Sequence, residues 1–308
     1  MDVTVAVCTW NRCKLLKQTL EEMCGLKIPM NIEWELIVVN NNCSDATDDV
    51  IDSYRHRLPI RRLFEPEQGL SNARNCAVTS ATGDLVLWTD DDVLVGPDWL
   101  SEYVYAAREW PDASFFGGTI DPWFAARPPC WILSNLDLLS GVYAIRDLGT
   151  EIKKITSPEN IPFGANMGMR RYIFDSMRFN HSLGLCGTMR MCSEEIDLMT
   201  RLLSRGHYGI FVGSAQVRHY IPAERFKIRY VQDVFRGHGQ ATLRIDKALK
   251  RKIRQNLAQH VRRYYKKRLK SWILYPFKTR RWLKAFIQAS ILRGRIEECQ
   301  NDVTKEAG

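Results

Sequence analysis

No two of the nine cysteines stand in a CxxC pair, and nine is an odd number: Cys8, Cys13, Cys24, Cys43, Cys76, Cys130, Cys186, Cys192 and Cys299. That absence favours reduced thiols over a disulfide framework. A run of ~20 mostly apolar residues, the length a spanning helix needs, is also missing. The most apolar C-terminal stretch, Trp272 to Leu292, is broken by Pro276, Lys278, Arg280, Arg281 and Lys284, so no transmembrane helix is expected. Met1 leads straight into a strand-like segment without a basic stretch and an apolar h-region. No secretory signal is visible, and a cytoplasmic location is the expectation. Repeats and low-complexity tracts are absent, and a chain that is 45% hydrophobic and 26% charged is not disordered throughout. At 308 residues it has room for one large α/β domain or two smaller ones.

Acidic residues are what the C-terminal part lacks. Residues 244–295 hold 18 Lys/Arg against one Asp, a net charge of +17, whereas residues 1–243 hold 25 basic and 30 acidic residues and carry −5. A mildly acidic body with a basic appendage suggests chemistry in the first and attachment to something anionic in the second. The appendage interleaves its cations with Tyr264, Tyr265, Trp272, Tyr275, Phe277, Trp282 and Phe286, the composition of an interfacial helix pair meeting an anionic membrane surface. Nucleic acid would also attract the charge, but no nucleic-acid-binding motif accompanies it, so none is expected as a partner.

Along the first hundred residues short apolar runs alternate with amphipathic stretches, the pattern of strands and helices around a mostly parallel sheet. Strands are predicted over Val3–Cys8, Glu35–Asn40, Ile60–Phe64 and Asp84–Thr89, and helices over Lys14–Met23 and Ser71–Thr79, with a further helix opened by Ser44 or Asp45 as N-cap. Ser114–Thr119 reads as another strand, Asp121–Tyr143 as an irregular Trp/Pro-containing connection, and Glu194–Arg205 as a helix ending at Gly206. From about Arg244 to Arg295 the pattern is helical, with a break near Pro276. In an open α/β sheet ligands gather beyond the carboxyl ends of the strands, which draws attention to the turns after Cys8, Val39 and Thr89.

Asp90, Asp91 and Asp92 follow the last of these strands. Like charges in a partly buried site repel and raise one another's pKa, and a divalent cation is their natural partner, since Mg²⁺ and Mn²⁺ prefer oxygen ligands. Asp92 and Asp90 are candidate ligands. The alternative is an acidic loop capping the helix that begins near Asp98.

Four segments, in order, resemble glycosyltransferase family 2 over about residues 3–240: VAVCTWNR at Val5–Arg12, ELIVVNNNCSDAT at Glu35–Thr47, GLSNARNCAVTSATGDLVLWTDDDV at Gly69–Val93 and SEEIDLMTRLLSRG at Ser193–Gly206. The resemblance implies a GT-A fold, Rossmann-like and mixed with a mostly parallel sheet flanked by helices. It divides the chain into a donor half at 1–119, an acceptor half at 120–243 and the basic helical segment at 244–308. The implied activity is inverting transfer of a single sugar from a nucleotide sugar, with UDP the expected nucleotide and Mn²⁺ or Mg²⁺ the cofactor. The expected acceptor is a glycan or lipid-linked saccharide, which suggests a bacterial-type surface glycan built at the cytoplasmic face of a membrane.

On this resemblance Thr9, Asn11, Arg12 and Asn42 border the nucleotide, and Asn40 stands where many relatives carry an Asp that bonds the pyrimidine base. Arg74 either reaches the donor or forms a structural ion pair. Asp90 contacts ribose or sugar as well as metal, Asp91 faces mainly the sugar, and Asp92 is the main metal contact, with His219 a further ligand. Glu195 aligns with the catalytic base, although relatives commonly have Glu-Asp where this chain has Glu194-Glu195, and Glu194 competes for the role. Trp123, Trp131 and Phe163–Asn166, with Gly164 and Asn166 foremost, are expected on the acceptor side, and Arg225, Arg236 and His238 in a basic lid over the diphosphate. The QxxRW motif of processive synthases is absent. A sugar nucleotidyltransferase would carry a glycine-rich, cationic loop where this chain has VCTWNRCK, and a noncatalytic lipid- or RNA-binding protein would leave the aspartates structural.

Overall fold

The computed structural model describes residues 1–186, 189–191, 193–248 and 257–306. Two units divide the chain. The first comprises Met1–Trp123, Ala144–Ser182 and Glu194–Tyr220, and the second Phe124–Tyr143, Leu183–Ser193 and Ile221–Gly308.

The first unit is organised by β1 (Val3–Thr9), whose β-branched residues suit a pleated surface covered on both sides. Its period of two divides the core. Val3, Val5 and Val7 join Leu36, Val38, Leu85 and Leu87 in one apolar cluster, while Ala6 joins Ile37, Val39, Val86 and Trp88 in the other. β2 (Trp34–Asn40), β3 (Ile60–Phe64) and β4 (Leu85–Asp90) extend the parallel part in the order β3-β2-β1-β4. Thr9 pairs with Asn40 and Cys8 with Asp90, so the three turns singled out from the sequence open at one edge. Beyond β4 the sheet turns antiparallel: β8 (Asn166–Arg170) joins β4, and β6 (Phe115–Phe124) joins β8. β11 (Gly209–Ile221) follows, paired with β5 (Val93–Val95) and β7 (Lys153–Ile155).

Helices α1 (Cys13–Met23), α2 (Thr47–Ser53), α3 (Leu70–Ser80), α4 (Trp99–Glu109) and α7 (Glu194–Ser204) complete this unit. α2 opens at Ala46 rather than at Ser44 or Asp45, but the Asp45 carboxylate still accepts from the Thr47 N–H at 3.2 Å. Gly206 takes the left-handed conformation, φ 84°, just past α7, where a side chain would be strained.

In the second unit, part of the stretch expected to be irregular is helical: α5 (Cys130–Leu133) and α6 (Leu136–Tyr143). Its Trp and Pro content masked two short apolar turns. β9 (Gly184–Cys186) and β10 (Met189–Met191) form a hairpin. The C-terminal helices are α8 (Ile228–Ala248), α9 (Leu257–Leu274) and α10 (Arg280–Glu306), with the break after α9 at Tyr275–Phe277, around Pro276. Helical structure thus begins well before Arg244, because the apolar spacing starts at Ile228 while the positive charge accumulates later. α8 and α10 meet backbone to backbone. A Cβ at Gly239 would lie 2.1 Å from the Ile291 carbonyl oxygen, and one at Gly294 would lie 1.9 Å from that of Arg236. Arg236 is bonded to Glu297 at 2.8 Å and Arg244 to Glu298 at 2.7 Å. The expected lid segment is therefore a helix, with Arg236 tied to α10.

Candidate active site

The carboxyl end of β1 delivers Thr9 and, one turn on, Arg12; the carboxyl end of β4 delivers the three aspartates. Asp91 is buried, at 4% exposure. Thr9 donates its hydroxyl to Asp91 Oδ2 at 2.7 Å, and Arg12 Nη1 lies 3.1 Å from Asp91 Oδ1 and 2.8 Å from Asp92 Oδ2. The Thr19 hydroxyl from α1 donates to the Asp91 carbonyl at 3.1 Å. Burial pushes the Asp91 carboxyl up to about 7 against the pull of Arg12. Burial works against the charge of Arg12, but Asp91 and Asp92 more than offset it and raise its pKa. Asp91, expected to face mainly the sugar, has each of its oxygens bonded inside the chain. Asp91 clips the turn to β1 and α1.

Asp92, Asp90 and His219 converge instead. One ligand atom from each lies within 4.8 Å of the others, with His219 Nε2 3.4 Å from Asp92 Oδ1. The pairing of His219 with Val93 across β11 and β5 sets this neighbourhood, and the Tyr220 N–H donates to the Asp92 carbonyl at 2.9 Å. Burial raises the Asp90 carboxyl, Arg74 opposes that and Asp92 adds to it. Two carboxylates and an imidazole within a few ångströms suit a small divalent cation, and the imidazole suits Mn²⁺ better than Mg²⁺. The donor set fits such an ion.

Arg74 on α3 is 2% exposed. Its Nη1 lies 2.5 Å from Glu194 Oε1 and 3.9 Å from Glu195 Oε2, and its Nη2 lies 3.9 Å from Asp90 Oδ1. Gly164 makes this possible, since a Cβ there would fall 2.0 Å from Arg74 Nη2. Gly164, expected on the acceptor side, is the seat of a buried guanidinium. Glu195 Oε2 is buried and makes no hydrogen bond among the described residues. Burial pushes the Glu195 carboxyl up to about 8, the neighbouring Glu194 adds to the effect, and Arg74 opposes it.

Asn166, also expected to meet the acceptor, is fully buried and its amide is saturated. Its Oδ1 accepts from Trp99 Nε1 and the Tyr103 hydroxyl, each at 2.7 Å, and its Nδ2 donates to the carbonyls of Thr119 and Ala215 at 2.9 and 2.8 Å. An amide has two donors and room for two acceptors, so Asn166 is a core clamp. Asn40 is likewise committed: its Nδ2 donates to Asp48 Oδ1 and its Oδ1 accepts from the Cys43 N–H, each at 2.7 Å. Asn11 and Asn42 take left-handed conformations, φ 52° and 60°, and Asn11 Oδ1 accepts from the Ser44 N–H at 2.7 Å. Trp123 is half-buried and packs edge-on against Tyr220, with centroids 5.0 Å apart.

Sequence reasoning missed three contributors. Asp48 holds Asn40, and its signal was a carboxylate in the first turn of α2. Asn41 fastens the Glu65–Gly69 loop, donating to the Glu65 and Glu67 carbonyls and accepting from the Gly69 N–H. Arg146 lies over Phe163, 4.2 Å from the ring centroid, and its charge interacts with that of Glu195; nothing in its surroundings marked it.

The family model for Glycosyl transferase family 2 matches residues 4–178, more than half of the chain. The chain belongs to this family. Among curated relatives of this glycosyltransferase, the succinoglycan biosynthesis protein ExoM of Rhizobium meliloti is 25% identical over 236 residues, covering 75% of this chain and 71% of its own. The glucosyl-dolichyl phosphate glucuronosyltransferase of Haloferax volcanii is 25% identical over 246 residues, covering 78% and 75%. Among solved structures, the mannosyltransferase PcManGT of Pyrobaculum calidifontis superposes with a TM-score of 0.66 at 16% identity, covering 97% of this chain and 87% of that one. Staphylococcus aureus TarS 1–349 superposes at 0.57 and 14% identity, covering 98% and 92%. At these identities the structures speak for the GT-A fold alone. Among the described residues no helix is long and apolar enough to cross a membrane.

Proposed function

We propose that this glycosyltransferase moves a single sugar from a nucleoside diphosphate sugar, with UDP the favoured nucleotide, to a glycan or lipid-linked saccharide, with inversion at the transferred carbon. The observation that carries the reading is the buried Oε2 of Glu195, without a hydrogen bond among the described residues and held within reach of the same guanidinium that faces Asp90. A carboxylate with a free oxygen and a raised proton affinity is suited to accept the acceptor hydroxyl's proton as the sugar is displaced. Glu194, bonded to Arg74 at 2.5 Å, is the weaker candidate because its charge is already engaged. It keeps Arg74 in place.

Asp90, Asp92 and His219 are the residues that would hold a divalent cation, which when bound supplies neutralisation for the departing diphosphate. PcManGT was solved with GDP-Man and Mn²⁺, and TarS with UDP, which supports a nucleotide-sugar donor without choosing the base. Thr9, Asn11, Arg12, Asn40 and Asn42 shape the turns that border the nucleotide; for Asn40 that role runs through Asp48 and Cys43 rather than through its own amide. Trp123 remains the aromatic face proposed for the acceptor. A lipid-linked acceptor agrees with the name of the Haloferax relative and with the basic segment 244–295, for which we propose contact with the anionic cytoplasmic face of a membrane. On this reading residues 1–243 carry the reaction and 244–308 the attachment.

The test is calorimetry of nucleoside diphosphates with and without Mn²⁺, followed by release of the diphosphate from the matching sugar donor. Binding and release that depend on the ion, and that Asp92→Ala weakens at least tenfold, are expected. Ion-independent binding with no release from any donor would favour a noncatalytic binding protein.

A further inference from the structure

Two arginines of the first unit hold the segment 158–166. A 3₁₀ turn at Pro158–Asn160 packs against α7, the buried Ile161 enters the core, and a Cβ at Gly117 on β6 would run into the Pro162 ring. Phe163 then presents its ring to Arg146, Gly164 leaves room for Arg74, and the Ala165 carbonyl accepts from the Thr89 hydroxyl at 3.0 Å. Arg146 is anchored on β6 as well: it donates its N–H to the Ile120 carbonyl at 3.1 Å and accepts from the Ile120 N–H at 2.8 Å. Its Nη1 donates to the Glu159 carbonyl at 3.2 Å and its Nη2 to the Ile161 carbonyl at 2.6 Å, with the guanidinium carbon 4.2 Å from the Phe163 centroid. One side chain therefore ties residues 159, 161 and 163 together, immediately before the glycine that seats Arg74.

That fastening does not need a charge. A neutral amide also donates to carbonyls, whereas a cation taken out of water is costly unless an anion faces it. Burial pulls the pKa of Arg146 down, and the charge of Glu195 opposes it. The other charges acting on Glu195 are Glu194 on its own helix, Arg74 on α3 and Asp90 on β4. Among these groups Arg74 and Arg146 are the positive ones, and the two are joined through a single segment of chain.

We propose that Arg146 is a positioning residue for the proton-accepting Glu195, holding residues 159–163 so that Gly164 seats Arg74 and placing a second positive charge at the carboxylate. The assignment rests on the reading of Glu195 as the base. Without Arg146 the segment loses both carbonyl ties and its ring contact, Arg74 loses its fixed seat, and the carboxylate drifts from the geometry in which it meets the acceptor hydroxyl. Displacements of that kind slow the chemical step more than they weaken binding. Donor binding, carried by the turns after β1, β2 and β4, changes little. A lysine keeps the charge but lacks the planar fork that spans two carbonyls and lies flat on a ring, so it restores part of the function.

The experiment measures release of the nucleoside diphosphate from UDP-glucose, UDP-N-acetylglucosamine and GDP-mannose by the full chain in Mn²⁺, with donor affinity by calorimetry. The variants are Arg146→Met, Arg146→Lys, Glu195→Gln and the double variant Arg146→Met/Glu195→Gln, each checked for folding by a melting curve. Should Arg146→Met not fold, Arg146→Gln, whose amide can still donate to a carbonyl, takes its place. Arg146→Met is expected to lower kcat at least tenfold with donor affinity within about twofold of the parent, and Arg146→Lys to recover at least threefold of that loss. In the Glu195→Gln background Arg146→Met is expected to change kcat by less than about twofold, because the group it positions is already gone. A folded Arg146→Met with the parent's kcat, or one whose kcat and donor affinity fall together, would overturn the proposal. So would equal losses in the Lys and Met variants, or a full additional loss in the double variant, either of which assigns Arg146 to the scaffold alone. Normal release by Glu195→Gln sinks the base itself, and no release from any of the three donors by the parent chain sinks the catalytic reading. A silent Arg146→Met beside a slowed Glu195→Gln sinks this assignment and leaves the base standing.

Discussion

Two arginines each gather carboxylates in the first unit, and they do so to different ends. Arg12 is 40% exposed at its side chain and binds Asp91 and Asp92 directly, while Thr9 takes the remaining oxygen of Asp91. Around Arg74, which is 3% exposed at its side chain, only Glu194 is bonded closely; Glu195 and Asp90 stand off at 3.9 Å. Bonds to both of its oxygens make Asp91 a structural clip within the first cluster. An incomplete set in the second leaves a carboxylate oxygen available for a proton. The difference between the two clusters lies less in the number of acidic residues than in how far the valences of each carboxylate are filled.

Breaking the second cluster at its open oxygen has the largest expected effect. Glu195→Gln should lower the transfer rate by ~10²–10⁴-fold, the usual contribution of a general base, while donor affinity measured by calorimetry stays within a factor of about two. Ordinary transfer by this variant would remove Glu195 from the reaction. Next comes the cation: Arg74→Met leaves Glu194 and Glu195 buried without their counter-ion and should destabilise the chain by about 3–5 kcal/mol in urea unfolding. A loss below about 1 kcal/mol would show that the cluster relaxes or neutralises itself.

In the first cluster Asp91→Asn should cost less, about 1–3 kcal/mol, because one charge-assisted bond is weakened while the amide still accepts from Thr9. If that variant retains its fold but loses donor binding altogether, Asp91 does more than clip the turn. The smallest effect expected is a displacement in pH. Only deprotonated Glu195 accepts a proton, so kcat/KM should fall as pH drops through the pKa that burial and Glu194 have raised to about 8. Glu194→Gln removes the like charge and frees Arg74 for Glu195, which shifts this acid limb to lower pH. A pH–rate profile that does not move would separate the two glutamates electrostatically.

Much of this architecture was readable from spacing. Alternating buried valines and apolar runs placed β1 to β4, because a strand covered on both faces has few other ways to be written. The aspartates were found for the same reason, at the end of a strand whose period was clear. Their individual roles were not readable, since Asp90, Asp91 and Asp92 are chemically identical and only the cross-strand register turns the middle one toward Thr9 and Arg12. The neighbours of Gly164 and Asn166 were not readable for a related reason. A glycine signals close approach without saying to what, and a buried amide looks like a binding amide until its four partners are seen. In the second unit, charge was taken to mark the start of the helices, but apolar periodicity had already begun at Ile228.

The shared place of Arg74 carries one more consequence. Asp90 and Glu195 lie at equal distance from a single buried cation, so whatever binds at Asp90 alters the proton affinity of Glu195, and the proton on Glu195 alters that ligand's affinity by the same factor. Thermodynamic reciprocity requires it. A ligand at Asp90 and a proton on Glu195 are thus coupled through one guanidinium, and the strength of that coupling is measurable as a pH dependence of the ligand's binding.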